Sequence, residues 1–157
     1  MKIELTVNGR LRSGEVDSTT RLIDLLRVQF HLTSVKEGCS VGECGACTVL
    51  LGGDPVCSCL VPAVQARGCS VLTVEGLEEN GELSVLQKAF LDNDATQCGF
   101  CTPGMILTAK ALLMKSPRPT RDIIKSALAG NICRCTGYTP IINAVEDAAR
   151  RFEAEIR

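Results

Sequence analysis

The sequence contains few of the residues on which nucleic-acid binding and membrane insertion depend. It has no tryptophan, only 3% aromatic residues and a formal net charge of -1. Proteins that bind nucleic acids usually present a basic face or aromatic side chains for base stacking, so this class is disfavoured. No apolar run approaches the ~20 residues needed to cross a bilayer. The first residues, MKIELTVNGR, lack the apolar stretch of a signal peptide, and we therefore expect a soluble cytoplasmic protein.

Cysteine, in contrast, is unusually abundant. Ten cysteines occur, at positions 39, 44, 47, 57, 59, 69, 98, 101, 133 and 135. A disulfide framework is disfavoured, because no export signal is seen and a chain of 157 residues can build its own core. Clustered thiols in a reducing compartment favour metal binding instead. The single histidine, His31, is interpreted as structural, since a Rieske-type iron site would need two.

The first part of the chain is predicted to be mostly sheet. Ile3, Leu5 and Val7 alternate with polar residues ahead of an Asn-Gly pair, which is typical of a strand, a tight turn and a return strand. Apolar residues at helical spacing predict one helix over residues 20–30. The segment CTVLLGGDPVCSCLV predicts a hairpin with its turn at residues 52–55, and CSVLTVEGL predicts a further strand.

The second part of the chain is predicted to be helical. Four helices are expected after Gly76, with start signals at Ser84, Thr102-Pro103, Thr120 and Thr139-Pro140. The polar segment between the two parts is predicted to be a linker. We therefore expect a first domain over residues 1–76, a linker over 77–83 and a helical domain over 84–157.

The segment CSVGECGACTVL carries the first group of cysteines. The spacing Cys39-x4-Cys44-x2-Cys47 is that of plant-type [2Fe-2S] ferredoxins. The three glycines of this loop permit unusual backbone angles and let N–H groups approach sulfur; they are Gly38, Gly42 and Gly45. Zinc is the alternative, but it usually takes two separated cysteine pairs. Spacing alone does not choose the fourth ligand, because Cys57 and Cys59 are expected on the same face of one strand and Cys69 also follows.

The second group of cysteines consists of two close pairs. Cys98 and Cys101 lie in QCGFCTPG, and Cys133 and Cys135 lie in NICRCTGYTP. Each pair precedes a predicted helix that begins with Thr-Pro, so two helix N-termini would direct N–H groups at the site. This environment suits an anionic cluster and favours a second [2Fe-2S] site, with zinc as the alternative.

Three segments in order, GCSVGECGACTVLLGGDPVCSC, TQCGFCTPGMI and AGNICRCTGYTPII, resemble the small iron–sulfur subunit of the molybdenum hydroxylases, the xanthine oxidase family. The resemblance implies an α+β fold, with an N-terminal ferredoxin-like β-grasp domain and a C-terminal four-helix bundle. It implies a cluster nearer the flavin on Cys39, Cys44, Cys47 and Cys59, and a cluster nearer molybdenum on Cys98, Cys101, Cys133 and Cys135. It also implies that Gln97 and Cys135 approach the pterin of the molybdenum cofactor.

The same resemblance implies that the chain transfers electrons and that, without its partner subunits, it does not react with substrate. A large partner subunit would bind the molybdopterin cofactor, a medium subunit would bind FAD, and the heteromeric unit would form a dimer. An N-heterocycle such as nicotinate is the expected substrate class. Alternatives within the family are xanthine, aldehydes, carbon monoxide and aryl-CoA thioesters. Outside it, the alternatives are a free-standing ferredoxin and a zinc-stabilised interaction module.

Overall fold

The chain folds into a sheet followed by helices. A computed structural model describes residues 1–156, with side chains described through residue 153. The N-terminal part forms a five-stranded mixed sheet and the C-terminal part contains four helices, which confirms the predicted α+β class. The strands are β1 (Lys2–Val7), β2 (Arg10–Glu15), β3 (Thr48–Leu51), β4 (Asp54–Cys57) and β5 (Ser70–Leu72). The helices are α1 (Leu22–Asp24), α2 (Val85–Asp92), α3 (Thr102–Lys115), α4 (Arg121–Leu128) and α5 (Thr139–Ile156).

The sheet has the strand order β2-β1-β5-β3-β4. β1 pairs antiparallel with β2 through a two-residue turn at Asn8 and Gly9, which both have positive φ as such hairpin turns require. On its other side β1 pairs parallel with β5, and this makes the sheet mixed. The alternating residues Ile3, Leu5 and Val7 are buried, as the period-2 pattern predicts.

The β3–β4 hairpin is tighter than the sequence predicts. Gly52 and Gly53 alone form the turn, while Asp54 and Pro55 already pair with β3. The predicted four-residue turn is therefore wrong. Proline is tolerated within β4 because this strand lies at the edge of the sheet and lacks a neighbour on one side.

The predicted first helix is present but changes form. It is α-helical over α1 and continues as a π-helical turn over Leu25–Gln29. A π turn holds an extra residue, so the Phe30 N–H donates to the Leu25 carbonyl at 3.1 Å. Phe30 is thereby placed in the core, while Gln29 stays exposed and donates to the Glu15 carbonyl at 2.7 Å.

The helices of the second part begin close to their predicted starts. Ser84 and Gln87 form the predicted capping box of α2, and Thr120 caps α4 by accepting from the Ile123 N–H at 3.3 Å. The predicted cap at Thr102 is wrong, because the residue before α3 is Cys101 and its side chain makes no cap hydrogen bond. The predicted cap at Thr139 is also wrong, because Thr139 is already the first residue of α5.

Two hydrophobic cores support the division into two domains. One core lies within the N-terminal sheet and its helix, and the other is formed mainly by the four C-terminal helices. The boundary at residues 76 and 77 stays a prediction, and residue 157 of the predicted helical domain lies outside the described residues. No helix in the described part of the chain is long and apolar enough to cross a membrane.

Candidate metal centres

The first glycine-rich loop wraps around the Cys39 thiol. Backbone N–H groups donate to its Sγ from Cys44 at 3.4 Å, Val41 at 3.5 Å and Glu43 at 3.3 Å. These donors, with Cys44 contributing most, lower the pKa of the Cys39 thiol to about 6. The loop therefore favours the thiolate, which is the form that binds metal.

The glycines of this loop do what the sequence predicts, in two different ways. Gly42 and Gly45 have φ values of 79° and 70°, the left-handed region that glycine enters at little cost. Gly38 instead provides space, since a Cβ there would lie 2.9 Å from the Sγ of Cys44. Both effects let the backbone close around the thiols.

Three cysteines compete to complete this group, and the structure separates their environments. Cys57 ends β4, whereas Cys59 lies in the turn that follows, so the expectation that both lie on one strand is wrong. Cys59 is buried beside Cys47, and this burial raises the pKa of its thiol to about 11 despite a hydrogen bond from the Gly42 N–H. Cys57 Sγ lies 3.6 Å from the Gly42 carbonyl oxygen, to which it donates as a neutral thiol.

Cys69 lies apart from the loop. It precedes β5, and its Sγ contacts the carbonyl oxygens of Gln65 at 3.7 Å and Arg67 at 3.8 Å. These contacts belong to a local turn and involve none of the other thiols.

The helical half brings its four cysteines together at the starts of α3 and α5. The Cys101 thiol contacts Cys133, and desolvation raises the pKa of Cys101 to about 12. The Cys135 thiol contacts Cys98, and this contact raises the pKa of Cys135. Burial also acts on Cys133, but hydrogen bonds from Thr136 outweigh it and hold the pKa of that thiol below its usual value.

Tyr138 contacts the backbone of the second group of cysteines. Its hydroxyl accepts a hydrogen bond from the Cys133 N–H at 2.9 Å. Its backbone has a φ of 70°, which turns the chain directly into α5. The aromatic residue therefore holds the Cys133–Cys135 segment against the helix start.

Nine of the ten thiols have another thiol as a neighbour. In the N-terminal half Cys39 adjoins Cys44, and Cys47 adjoins both Cys59 and Cys57; in the helical half Cys98 adjoins Cys135, and Cys101 adjoins Cys133. Within the described residues, no three or more histidine, cysteine, aspartate or glutamate side chains form a group that could hold a single metal ion. All ten cysteines lie within the described residues and are free thiols there. Paired thiols suit a binuclear centre, in which each metal takes two of them.

The two groups differ in their access to solvent. Cys47 and Cys59 are buried, whereas Cys98 and Cys135 are exposed, as is Gln97 beside them. The second group therefore opens at the molecular surface.

One residue of the site, Asn131, was not singled out from the sequence. It is buried, and its amide connects the second group of cysteines with the first loop. No local pattern marks it, because its partners Gly45 and Thr48 lie more than 80 positions away in the chain.

Comparisons with known proteins cover nearly all of the chain. Residues 73–146 match the family model described as a [2Fe-2S] binding domain. The nicotinate dehydrogenase small FeS subunit of Eubacterium barkeri is 56% identical over 149 residues, which is 95% of each chain. A chain of quinoline 2-oxidoreductase from Pseudomonas putida 86 has a TM-score of 0.91 and 48% identity, with 96% of each chain covered. The aldehyde oxidoreductase of Desulfovibrio desulfuricans ATCC 27774 has a TM-score of 0.94 and 45% identity, and the match covers 98% of this chain but 17% of that longer one.

Proposed function

The chain belongs to the small [2Fe-2S] subunits of the molybdenum hydroxylases, the xanthine dehydrogenase family, and from this we propose that it conducts electrons from a molybdopterin-binding large subunit to an FAD-binding medium subunit. It is the iron–sulfur electron-transfer subunit of a multi-subunit oxidoreductase. The chain alone is expected to be inert towards substrate. We further propose that the heteromeric unit forms a dimer and acts in the cytoplasm.

We propose that eight of the ten thiols hold two clusters. Cys39, Cys44, Cys47 and Cys59 would hold the cluster nearer the flavin, and Cys98, Cys101, Cys133 and Cys135 would hold the cluster nearer molybdenum. The gathering of thiols in each half is the observation that supports two sites, because a [2Fe-2S] centre takes four thiolates. The choice of Cys59 rests on the family resemblance, because Cys57 also adjoins Cys47. When bound, each cluster accepts and donates single electrons.

In both halves of the chain, backbone N–H groups lie close to the proposed ligand cysteines. The amides around Cys39 donate to sulfur, and hydrogen bonds to the ligand sulfurs tune cluster potentials. In the helical half the first turns of α3 and α5 adjoin the cysteines, and their N–H groups favour anionic groups nearby. Hydrogen bonds therefore favour the thiolates of Cys39 and Cys133. Burial, in contrast, opposes ionisation of Cys59 and Cys101.

The exposed end of the helical half is the proposed contact with the molybdopterin subunit. Cys98, Cys135 and Gln97 are all exposed there. Phe100 and Ile132 add apolar surface at 45% and 55% exposure. We propose that Gln97 and Cys135 approach the pterin of the molybdenum cofactor, so that electrons enter the chain at this end.

An N-heterocycle such as nicotinate is the substrate class that we propose for the assembled enzyme. Two of the similar proteins are named for nicotinate and quinoline, which are both N-heterocycles. Turnover of nicotinate by the purified complex, measured beside xanthine and an aldehyde, tests this choice. A complex that oxidises only the aldehyde would contradict it.

Substitution of the competing cysteines tests the ligand assignment. Because two [2Fe-2S] clusters contain about four irons, Cys59→Ser should remove about half of the iron and one of two EPR signals. Cys57→Ser and Cys69→Ser are the matched controls and should retain both. A Cys57→Ser variant that loses half its iron, beside a Cys59→Ser variant that loses none, would show that the assignment is wrong.

The purified protein distinguishes this function from its rivals. A subunit purifies with two larger chains and shows the brown visible absorption of iron–sulfur clusters. A free-standing ferredoxin would elute alone, and a zinc protein would be colourless.

A further inference from the structure

Asn131 is a buried amide at the contact between the two halves of the molecule. Its side-chain NH2 donates to the Gly45 carbonyl at 3.0 Å and to Thr48 Oγ1 at 3.3 Å. Its Oδ1 accepts from Thr108 Oγ1 at 2.9 Å. Gly45 and Thr48 belong to the N-terminal half, whereas Thr108 lies on α3. A single side chain therefore ties the loop of the first cysteine group to the helices of the second.

The hydrogen bonds determine how this amide is oriented. A backbone carbonyl such as that of Gly45 can only accept, so the NH2 group must face it and Oδ1 must face Thr108. All three polar partners are buried, and a buried polar group that loses its partner is costly. The amide therefore holds one defined position.

Glycines bring the backbones of the two halves into direct contact around Asn131. A Cβ at Gly45 would lie 2.3 Å from the Gly130 carbonyl oxygen. A Cβ at Gly104, in the first turn of α3, would lie 2.4 Å from the Gly45 carbonyl oxygen. Since no side chain separates these segments, their spacing is set by backbone contact and by the hydrogen bonds of Asn131.

The contact lies inside the segments that carry the proposed ligands. Gly45 directly follows Cys44, and Asn131 precedes Cys133 by two positions. Between them, the Ile132 N–H donates to the Cys44 carbonyl at 2.9 Å. Any movement of the amide would therefore shift one ligand segment against the other.

We propose that Asn131 is a positioning residue that sets the separation and relative orientation of the two cluster sites. The inference rests on the proposed function, because it assumes that the cysteines assigned above hold the clusters. The step it serves is the passage of one electron from the helical-half site, which is oxidised, to the N-terminal site, which is reduced. No covalent bond forms or breaks in this step. The chain therefore acts on it through the distance between the two sites and their relative orientation.

Asn131→Leu tests the proposal, since leucine has a similar size and removes all three hydrogen bonds. The measurement is the EPR spectrum of the fully reduced complex, in which the spin–spin interaction between the two clusters depends on their separation and orientation. The variant should keep its iron and both EPR signals. The pattern of spin–spin interaction between the clusters, called the interaction pattern below, should differ from that of the wild type. Electron transfer between the clusters after rapid mixing with substrate should slow as well.

Asn93→Leu is the matched control. The Asn93 amide also donates two hydrogen bonds, to the Ala89 carbonyl and Asp147 Oδ2, both at 2.9 Å, but these lie wholly within the helical half. This variant should retain the wild-type interaction pattern. Loss of the pattern in Asn93→Leu as well would show that any weakened packing of the helices suffices, and would overturn the proposal.

A second pair of variants keeps the test decisive if Asn131→Leu fails to fold. Thr108→Val removes the hydroxyl that orients the amide, whereas Thr108→Ser keeps it. The valine variant should alter the interaction pattern and the serine variant should restore it. An unchanged pattern in a fully loaded Asn131→Leu or Thr108→Val protein overturns the positioning role. A wild-type protein with fewer than two cluster signals would instead overturn the proposed function.

Discussion

Gly45 and Gly52 share a left-handed backbone conformation but differ in what surrounds them. Their φ values are 70° and 61°. A Cβ at Gly52 would meet nothing within 4 Å, whereas one at Gly45 would lie 2.3 Å from the Gly130 carbonyl oxygen. Both positions favour glycine for its backbone freedom, and Gly45 also needs the absence of a side chain.

Alanine substitution separates these two requirements. Gly52→Ala should lower the free energy of unfolding by ~1–2 kcal/mol, the cost of a left-handed conformation for an L-residue. Gly45→Ala should cost a further ~1–3 kcal/mol, because the methyl group overpacks a rigid backbone contact. Urea denaturation of the purified subunit measures both, and iron content should fall only in Gly45→Ala. Equal losses of stability in the two variants would contradict the importance of the close approach.

At the scale of elements, a polar network joins α2 to α5. Asp147 of α5 accepts from Asn93 at 2.9 Å and from Arg151 at 2.6 Å, and Arg151 also pairs with Asp92 at 2.7 Å. Partial burial raises the pKa of Asp147, but the hydrogen bonds from Arg151 and Asn93 outweigh it and hold the pKa below its ordinary value of 3.8. The network therefore stabilises the ionised carboxylate.

Asp147→Asn should lower the free energy of unfolding at pH 7 by ~1 kcal/mol, after allowance for a side chain that is still partly in water. The pKa of Asp147 is lower in the folded protein than in the unfolded chain, where it is 3.8. The stabilisation is therefore fully present above pH 3.8 and is lost as the pH falls through the lower pKa of the folded protein. Asp122→Asn is the control, since its side chain is 91% exposed and its ion pair with Lys125 is 3.4 Å long. The control should change stability by less than ~0.5 kcal/mol. Equal effects in the two variants would exclude a stabilising network.

Elements whose signals are local could be predicted from the sequence. The caps at Ser84 and Thr120 depend on residues three positions away, and both are confirmed. The spacing of Cys39, Cys44 and Cys47, with the glycines between them, likewise indicated a loop that wraps around a thiol. Such signals act within a single turn of chain, so no knowledge of the tertiary packing is needed.

Features that depend on distant packing could not be predicted. The π turn over Leu25–Gln29 accompanies the packing of Phe30 into the core of the sheet domain, which no local pattern specifies. The separation of Cys57 from Cys59 depends on where β4 loses its pairing with β3. The role of Asn131 depends on Gly45, which is 86 positions earlier in the chain. In each case a contact remote in sequence decides the outcome.

At the scale of the whole molecule, the two groups of cysteines are asymmetric. The first has buried thiols at Cys47 and Cys59, and the second has exposed thiols at Cys98 and Cys135. A cluster at the proposed second site would be open to water on the side of Cys98 and Cys135 unless a partner subunit covers it. This exposure supports the proposal that the molybdopterin subunit contacts the chain at the second group of cysteines.

Gln97→Ala tests the contact at the exposed end in the assembled enzyme. Loss of a buried hydrogen bond to the partner would leave a polar group unpaired, at a cost of ~1–3 kcal/mol. Reduction of the clusters by substrate should therefore slow by about 5- to 150-fold, while iron content stays unchanged. Gln65→Ala, which alters another exposed glutamine in the N-terminal half of the chain, should leave the rate unchanged. Normal rates in the Gln97→Ala enzyme, followed by rapid mixing, would count against this contact.

The burial of Leu50 indicates that separating the two halves of the chain would expose apolar surface on both. Leu50 lies on β3, yet its side chain belongs to the core of the helices and is 2% exposed. α3 in turn packs against β3. A recombinant fragment ending at residue 76 would carry this leucine uncovered, and the complementary fragment would present the apolar face that had covered it. For truncation, fusion or grafting into another redox assembly, the smallest usable module is therefore both halves together.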